Sequence, residues 1–276
     1  MDGPQLSMAF PRPGRALWAV LGLMVVVGIA SAIMAGWSHA AEGMFDWLAY
    51  EPHFPLARPW RLITSGVLTN PASWGHLLFA VAGIYFLGAP LEKRWGAWRF
   101  LRFLLLSILV GNLTTTLVDR TIGDAPERFH PEMVFGPAAA ITAIAIAWAT
   151  EYADSTVQLF MVLPIRGRVL FWITIGFCVL DLVYPAGMPE GVVAPFGGLV
   201  VGLLFGGSPS LARTAWLHVR LAVLRRKATT VRVDDMLARK PTRRPRSGAP
   251  PLRVVPGGLD EVLKKRTPPK DKRYLN

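Results

Sequence analysis

The chain has little charge and almost no cysteine. Only 17% of its 276 residues are charged, whereas 52% are hydrophobic, which is too apolar for a typical soluble protein of this length. Its single cysteine, Cys178, excludes a disulfide within the chain and a cysteine-based metal site. We therefore expect an integral membrane protein that holds neither a metal nor a cofactor.

The excess of positive charge is confined to the C-terminal part of the chain. Residues 208–276 contain 18 of the 30 Lys and Arg but only 5 of the 18 Asp and Glu, so they carry +13 while residues 1–207 carry −1. Prolines interrupt this part often, which favours disorder. Its beginning, 211–227, mixes leucines with arginines, as in a helix on a membrane surface. Similar short patterns at 234–240 and 260–266 are interpreted as helical turns of a solvated tail or, alternatively, as docking motifs.

Six apolar segments indicate six membrane spans: 16–36, 75–91, 100–118, 134–150, 169–185 and 191–207. We expect them to form one membrane domain, 1–207, followed by the basic tail, 208–276. A hydrocarbon core of about 30 Å needs about 20 helical residues, and several segments are shorter. Short spans suit the inside of a helix bundle, so this pattern hints at a cavity.

The charges of the connections predict the orientation. The connection between the second and third spans is basic, and the one at 119–133 is acidic. Because Lys and Arg near helix ends stay on the cytoplasmic side, both termini are predicted to be cytoplasmic. The expected location is a bacterial inner membrane. The long connection 37–74 contains seven aromatic residues and is predicted to lie in the outer membrane interface.

Several short motifs follow one another in a fixed order. They are Trp60-Arg61, His76-Leu77, Leu91-Glu92, Trp95-Gly96, "FMVLPIRGRVLFW" at 160–172 and "APFGGLVVGLLFG" at 194–206. Together they resemble the rhomboid intramembrane serine proteases over about residues 15–207. The resemblance implies an all-α, polytopic membrane protein with a six-helix rhomboid-like bundle, to which this chain adds its disordered basic tail.

The resemblance also implies where the catalytic groups would lie. In the family, a serine in a Gly-x-Ser-Gly turn attacks a peptide bond of a membrane-embedded substrate, and a histidine on the sixth helix takes the proton. Ala138 stands at the nucleophile position and Pro195 at the base position. Of the two side-chain oxyanion positions, His76 is kept and Ala80 replaces asparagine. Alanine has no oxygen and proline no proton acceptor, so the catalytic dyad is missing.

Shifting the register does not restore a nucleophile, because no serine lies between Ser107 and Ser155. Thr142 lies one turn beyond Ala138 on the same helix face, and such a threonine is expected to bond to a backbone carbonyl. Polar residues within other spans, Asn112 and Asp181, are interpreted as interhelical and structural hydrogen-bonding groups. Gly198, Gly202 and Gly206 recur every four residues, which predicts close packing of the sixth span against the fourth.

The sequence therefore predicts a pseudoprotease that binds transmembrane segments of client proteins within the lipid bilayer. The predicted binding residues are Trp60, Arg61, His76, Gly136, Ala138, Ala139, Gly198 and Gly202. One alternative is an active rhomboid serine endopeptidase with a displaced nucleophile. A second is a membrane-anchored adaptor that acts through its basic tail on anionic lipid headgroups. Nucleic acid is not an expected partner.

Overall fold

The computed structural model describes residues 12–38, 41–123, 126, 129–159, 163–184 and 189–229. The α-helices are α1 Arg15–Ile33, α2 Ala41–Leu48, α3 Arg61–Thr64, α4 Trp74–Trp95, α5 Ala97–Thr121, α6 Ala138–Glu151, α7 Gly167–Val183, α8 Ala194–Phe205 and α9 Leu211–Thr229. A π-helical turn, Met34–Ser38, extends α1, and a 3-10 turn, Ser65–Val67, follows α3. Two antiparallel strands, β1 Thr156–Leu159 and β2 Leu163–Arg166, pair Thr156 with Arg166.

The six predicted spans correspond to α1, α4, α5, α6, α7 and α8, which confirms the polytopic helical fold. In the described residues, three segments are long and apolar enough to cross a membrane: Arg15–Trp37, Trp74–Trp95 and Ala97–Thr121. The second and third spans were predicted too short, because helical structure continues through the charged residues at their ends. The β1–β2 hairpin was not predicted, and the aromatic connection contains α2 and α3.

Helices α6 and α8 are short, and α6 lies inside the bundle. With 14 and 12 residues, they extend about 21 Å and 18 Å, less than the hydrocarbon thickness of about 30 Å. Almost every residue of α6 is buried, because α4, α5, α7 and α8 all pack around it. The largest buried side chains of the core include Leu17, Ile84, Phe100 and Ile144. Helix α6 is thus shielded from lipid by its neighbours, whereas α8 keeps Val200, Leu204 and Phe205 exposed.

Small residues bring α6 and α8 into backbone contact. A Cβ added at Gly198 would overlap the carbonyl of Ala139, and one at Gly202 would lie 2.8 Å from Cβ of Ile146. Further along, a Cβ at Gly206 would lie 2.9 Å from Cα of Ala147. The predicted packing of the sixth span against the fourth through this glycine stripe is confirmed.

Polar contacts define two ends of the bundle. At the end that we call the Glu92 end, the carboxylate of Glu92 accepts the backbone N–H groups of Ala16 and Leu17 at 3.0 and 3.2 Å, and so caps α1. Arg94 pairs with Glu151 at the end of α6. Arg99 donates to the carbonyl of Gly207 at 2.9 Å. This end therefore joins the starts of α1 and α5 to the ends of α4, α6 and α8.

The opposite end, which we call the His76 end, carries the aromatic connection. Tyr50 and Val134 form an isolated β-bridge with N···O distances of 2.9 and 2.8 Å. The phenol of Tyr50 is hydrogen-bonded to Oγ1 of Thr116 at 2.5 Å. These contacts hold the segment before α6 in extended structure, which explains why α6 begins at Ala138 and not at the predicted residue 134.

A helix is present at 211–227, as α9, and its predicted position on the membrane surface stays a prediction. The predicted turns at 234–240 and 260–266, and the remainder of the tail that was predicted to be disordered, lie outside the described residues. The pattern of residue contacts divides the chain into two compact units, Met1–Ala222 and Val223–Asn276. The predicted domain boundary at residue 207 stays a prediction.

Candidate functional site

The first turn of α4 positions His76. Ser73 is the N-cap of the helix, and its hydroxyl accepts the backbone N–H of His76 at 3.4 Å. The preceding turn is fixed by Asn70, whose side-chain oxygen accepts the N–H of Ala72 at 2.9 Å. The backbone N–H of Asn70 donates to Nδ1 of His76 at 2.9 Å. The imidazole is therefore held by the turn that starts its own helix.

These contacts determine which ring nitrogen of His76 carries the proton. A backbone N–H can only donate, so Nδ1 of His76 is an acceptor without a proton. In the neutral ring the proton then lies on Nε2, which is 2.6 Å from Oε1 of Glu190. His76 donates its one N–H to the carboxylate, and neither ring nitrogen is left for a further partner.

Glu190 is the residue of this site that sequence reasoning missed. It lies in the connection between α7 and α8 and is only 6% exposed. Its second oxygen, Oε2, is buried and has no hydrogen-bond partner among the described residues. A buried acceptor without a partner costs free energy, roughly 1–3 kcal/mol. The only signal in the sequence was that Glu190 is the sole charged residue between α7 and α8.

Gly136 makes room for the Glu190 side chain. Its φ of +130° is a conformation that L side chains rarely adopt, and an added Cβ would overlap the side chain of Glu190. The N–H of Gly136 donates to the carbonyl of Ser65, and that of Phe135 to the carbonyl of Pro189, both at 2.9 Å. The turn before α6 is thereby joined to the connection that carries Glu190.

Ala138 and Ala139 begin α6 and have different surroundings. Pro137 is the N-cap, and its carbonyl accepts the N–H of Ile141 at 2.9 Å. Ala138 is half-buried, whereas Ala139 is buried against Gly111 and Gly198. Of the predicted binding residues, Ala139, Gly198 and Gly202 thus lie inside helix contacts, while His76 and Gly136 lie together around Glu190.

The other two positions implied by the resemblance are also apolar and buried. Pro195 is the second residue of α8, where a missing N–H breaks no helical hydrogen bond. Ala80 is 1% exposed and lies one turn after His76 on α4. Neither side chain carries a group that can accept a proton or donate a hydrogen bond.

Trp60 and Arg61 hold the aromatic connection together. Arg61 is 4% exposed and forms a 2.5 Å ion pair with Glu51. The indole N–H of Trp60 donates to the carbonyl of Trp47 at 3.0 Å, and their rings stack at 5.6 Å. These two predicted binding residues therefore contact the connection itself.

Other polar residues lie within the spans. Thr142 is 8% exposed on α6, and its expected bond to a backbone carbonyl stays a prediction. Asn112 donates to the carbonyl of Leu62 and to Oγ of Ser65, at 2.9 and 2.8 Å. Asn112 thus bonds from α5 to the α3 segment. Asp181 is half-buried near the end of α7.

A groove of about 370 Å³ lies between α1, its π-turn and the start of α4. Its walls are mainly apolar and include Ile29, Ile33, Trp37, Trp74 and Leu77, while Thr69, Asn70 and Ser73 supply polar groups. Asn70 and Ser73 are also the residues that hold His76. The groove is therefore bordered by two residues that hold His76 in place.

The fold and the site define a polytopic helical membrane protein in which a half-buried histidine pairs with a buried glutamate next to a tight small-residue helix interface. The rhomboid domain matches residues 56–208, which is more than half of the chain. The chain therefore belongs to the rhomboid family. A comparison with curated proteins gave no match.

Proposed function

We propose that this rhomboid protein does not cleave peptide bonds and binds transmembrane segments of client proteins. The observation that carries the proposal is the hydrogen bond from His76 to Glu190. Hydrolysis by a serine protease needs an activated hydroxyl and N–H donors aimed at the developing oxyanion. Ala138 supplies no hydroxyl, and the N–H of His76 is already donated to a carboxylate. The carboxylate would also repel an oxyanion at this place.

The polarity of the site supports a different ligand group. A hydrolytic site offers hydrogen-bond donors to a carbonyl oxygen, whereas here Oε2 of Glu190 is a buried acceptor without a partner among the described residues. The group that fits it is an N–H donor, such as the side-chain amide of an asparagine or an unpaired backbone N–H. Polar groups in transmembrane helices gain about 1 kcal/mol from such bonds. The preferred client is thus a membrane span with a polar residue near the His76 end.

The groove between α1 and α4 is the place for this client. Its apolar walls match a hydrophobic helix, and its polar residues lie next to His76. Trp37 and Trp74 are 89% and 81% exposed at its rim. Gly36 lines the groove, and an added Cβ there would meet nothing within 4 Å. A large side chain at this position would therefore fill the groove without disturbing the bundle.

The binding test uses the full-length protein in lipid vesicles and a synthetic Leu/Ala transmembrane peptide with one asparagine and a photoreactive group. We expect the peptide to crosslink to the wild type and the yield to fall strongly in Gly36→Trp. The matched control is Gly22→Trp, because Gly22 is an exposed residue of α1 with equally open surroundings outside the groove. Equal yields for Gly36→Trp and the wild type would overturn the proposed groove.

A second test addresses the two alternative functions, an active protease and an adaptor that acts through its tail. We expect no cleavage of helix-destabilised membrane substrates and no adduct with a fluorophosphonate probe. Cleavage that is lost in His76→Ala or Thr142→Ala would establish an active protease in place of the proposed function. Deletion of residues 208–276 should leave peptide crosslinking intact, and its loss would favour the adaptor that acts through its tail.

In the same proposal, both termini face the cytoplasm. The arrangement of the bundle supports this topology, since Arg94, Arg99 and Arg102 lie at the Glu92 end together with the start of α9, and basic residues stay on the cytoplasmic side. The single cysteine allows a direct test. In a Cys178→Ser background, an impermeant maleimide added outside intact cells should label Glu42→Cys and not Ser208→Cys. The reverse pattern would contradict the topology.

A further inference from the structure

A second pocket, of about 410 Å³, lies at the Glu92 end between the start of α5, the end of α8 and the first turn of α9. Three arginines, Arg99, Arg102 and Arg213, line one part of it, and an apolar part is formed by Phe103, Leu106 and Phe205. A pocket with a cationic part beside an apolar part is suited to an amphiphilic anion.

The three arginines carry a positive charge that no carboxylate of the described residues neutralises. Within the described ranges, none of them forms an ion pair with an acidic residue, whereas Arg94 on the neighbouring turn pairs with Glu151. Like charges that converge on one pocket repel each other, so an anion that binds among them is stabilised. The uncompensated charge therefore indicates an anionic ligand.

Aromatic rings and backbone contacts orient two of the guanidinium groups. Arg99 lies over the ring of Trp95 at 4.6 Å, and Arg102 over the ring of Trp98 at 4.7 Å. Arg99 also donates to the carbonyl of Gly207 at 2.9 Å. A guanidinium that is held by stacking presents its remaining N–H groups in a fixed plane, which suits the oxygens of a phosphate.

The start of α9 also favours an anion in this pocket. The hydroxyl of Ser210 accepts the N–H of Arg213 at 3.3 Å and caps this 19-residue helix, whose positive dipole end borders the pocket. Beyond the pocket, Trp216, Leu217 and Val219 of α9 are 41–63% exposed. Exposed apolar residues mixed with arginines suit a membrane surface.

We propose that the pocket of Arg99, Arg102 and Arg213 binds the phosphate of an anionic phospholipid headgroup, with the apolar part of the pocket against the lipid backbone. The site is independent of the His76 end, so its failure in a test would leave the proposed client binding unaffected. It also differs from a general attraction of the basic tail, because two of its three arginines precede residue 208.

The experiment measures lipid binding to the full-length protein in neutral detergent by native mass spectrometry. The probes are phosphatidylglycerol and phosphatidylcholine with the same acyl chains. We expect one saturable phosphatidylglycerol, and about tenfold weaker binding in Arg102→Gln/Arg213→Gln, because each charge-assisted bond contributes more than a neutral one. This variant keeps Arg99 and its contact with Gly207, and its unfolding temperature should equal that of the wild type.

The control removes the same charge from the tail, as Arg243→Gln/Arg244→Gln, and should leave binding unchanged. Equal losses in the two double variants would overturn the pocket in favour of general electrostatic attraction. Competition with soluble glycerol phosphate distinguishes a lipid headgroup from a soluble phosphate compound as the ligand. It should compete only at far higher concentration than the lipid, and equal affinity would overturn the lipid as the ligand.

Discussion

Nε2 of His76 lies 2.6 Å from Oε1 of Glu190, although the two residues are 114 positions apart in the chain. The N–H of Asn70 on Nδ1 makes Nε2 the donor of this bond. The rhomboid resemblance assigns His76 to oxyanion binding. In this chain the N–H of His76 is already donated to the carboxylate of Glu190. The pair connects the start of α4 with the connection before α8.

The first prediction concerns the acceptor at position 190. Glu190→Ala leaves the Nε2–H of His76 without its acceptor and should lower the free energy of unfolding by about 1–3 kcal/mol. Glu190→Gln keeps an acceptor oxygen and removes a buried charge, so stability should stay equal or rise. Thermal unfolding in detergent measures both, with Glu132→Ala as the exposed control. Equal losses in the Ala and Gln variants would contradict the assigned hydrogen bond.

The second prediction concerns the carboxylate that caps α1. Glu92 is 3% exposed and accepts two backbone N–H groups. Glu92→Gln replaces one acceptor oxygen by a donor, so it should cost about 1.5–3 kcal/mol in unfolding free energy. Gly14→Ala should have a similar effect, because its Cβ would overlap this carboxylate. Glu42→Gln, an exposed residue, serves as the control, and an equal effect there would contradict the cap.

The third prediction tests the contact between α6 and α8. Gly198→Ala places a methyl group on the carbonyl of Ala139, which must move the helices apart and should cost about 3 kcal/mol. Gly176→Ala on α7 is the matched control, because its Cβ would meet nothing within 4 Å. Thermal unfolding compares the two variants. The interpretation fails when both variants unfold at the temperature of the wild type.

The fourth prediction concerns the pH dependence of Tyr50, which lies in the aromatic connection. Burial raises the pKa of Tyr50 above 10.0 and outweighs the opposite effect of its hydrogen bond with Thr116. Above pH 10 the unfolded state loses this proton first, so stability should fall as the pH rises towards the folded-state pKa. Phenolate absorbance should show a late-titrating component that Tyr50→Phe removes. Tyr184→Phe, an exposed tyrosine, should leave that component in place.

The fold was more predictable from the sequence than the site. The spans and the Gly198–Gly202–Gly206 stripe are local patterns of hydropathy and spacing. The observed helices form and pack where these patterns predict them. Glu190 looked like a lone charge in a loop, because its contact with His76 arises only when α4 and the connection before α8 meet. Arg61 is a predicted binding residue, but in the folded connection it pairs with Glu51. Pairings that depend on tertiary contacts leave no periodic signal in one sequence.

The last prediction concerns restoration of the missing chemical groups. Ala138→Ser alone should give no fluorophosphonate adduct, because a serine hydroxyl without a base is a poor nucleophile. Ala138→Ser/Pro195→His supplies both groups, yet the N–H of His76 stays donated to Glu190. Adding Glu190→Ala frees this donor for the oxyanion and should raise the labelling rate by about a hundredfold over the double variant.

The unfolding temperature of each variant serves as the control for this comparison. A folded triple variant without any adduct would contradict the assignment of Ala138 and Pro195 to the nucleophile and base positions. Equal labelling of the double and triple variants would instead contradict the role of Glu190 in occupying His76. Because the two outcomes differ, the experiment separates the alignment of the catalytic positions from the effect of the buried carboxylate.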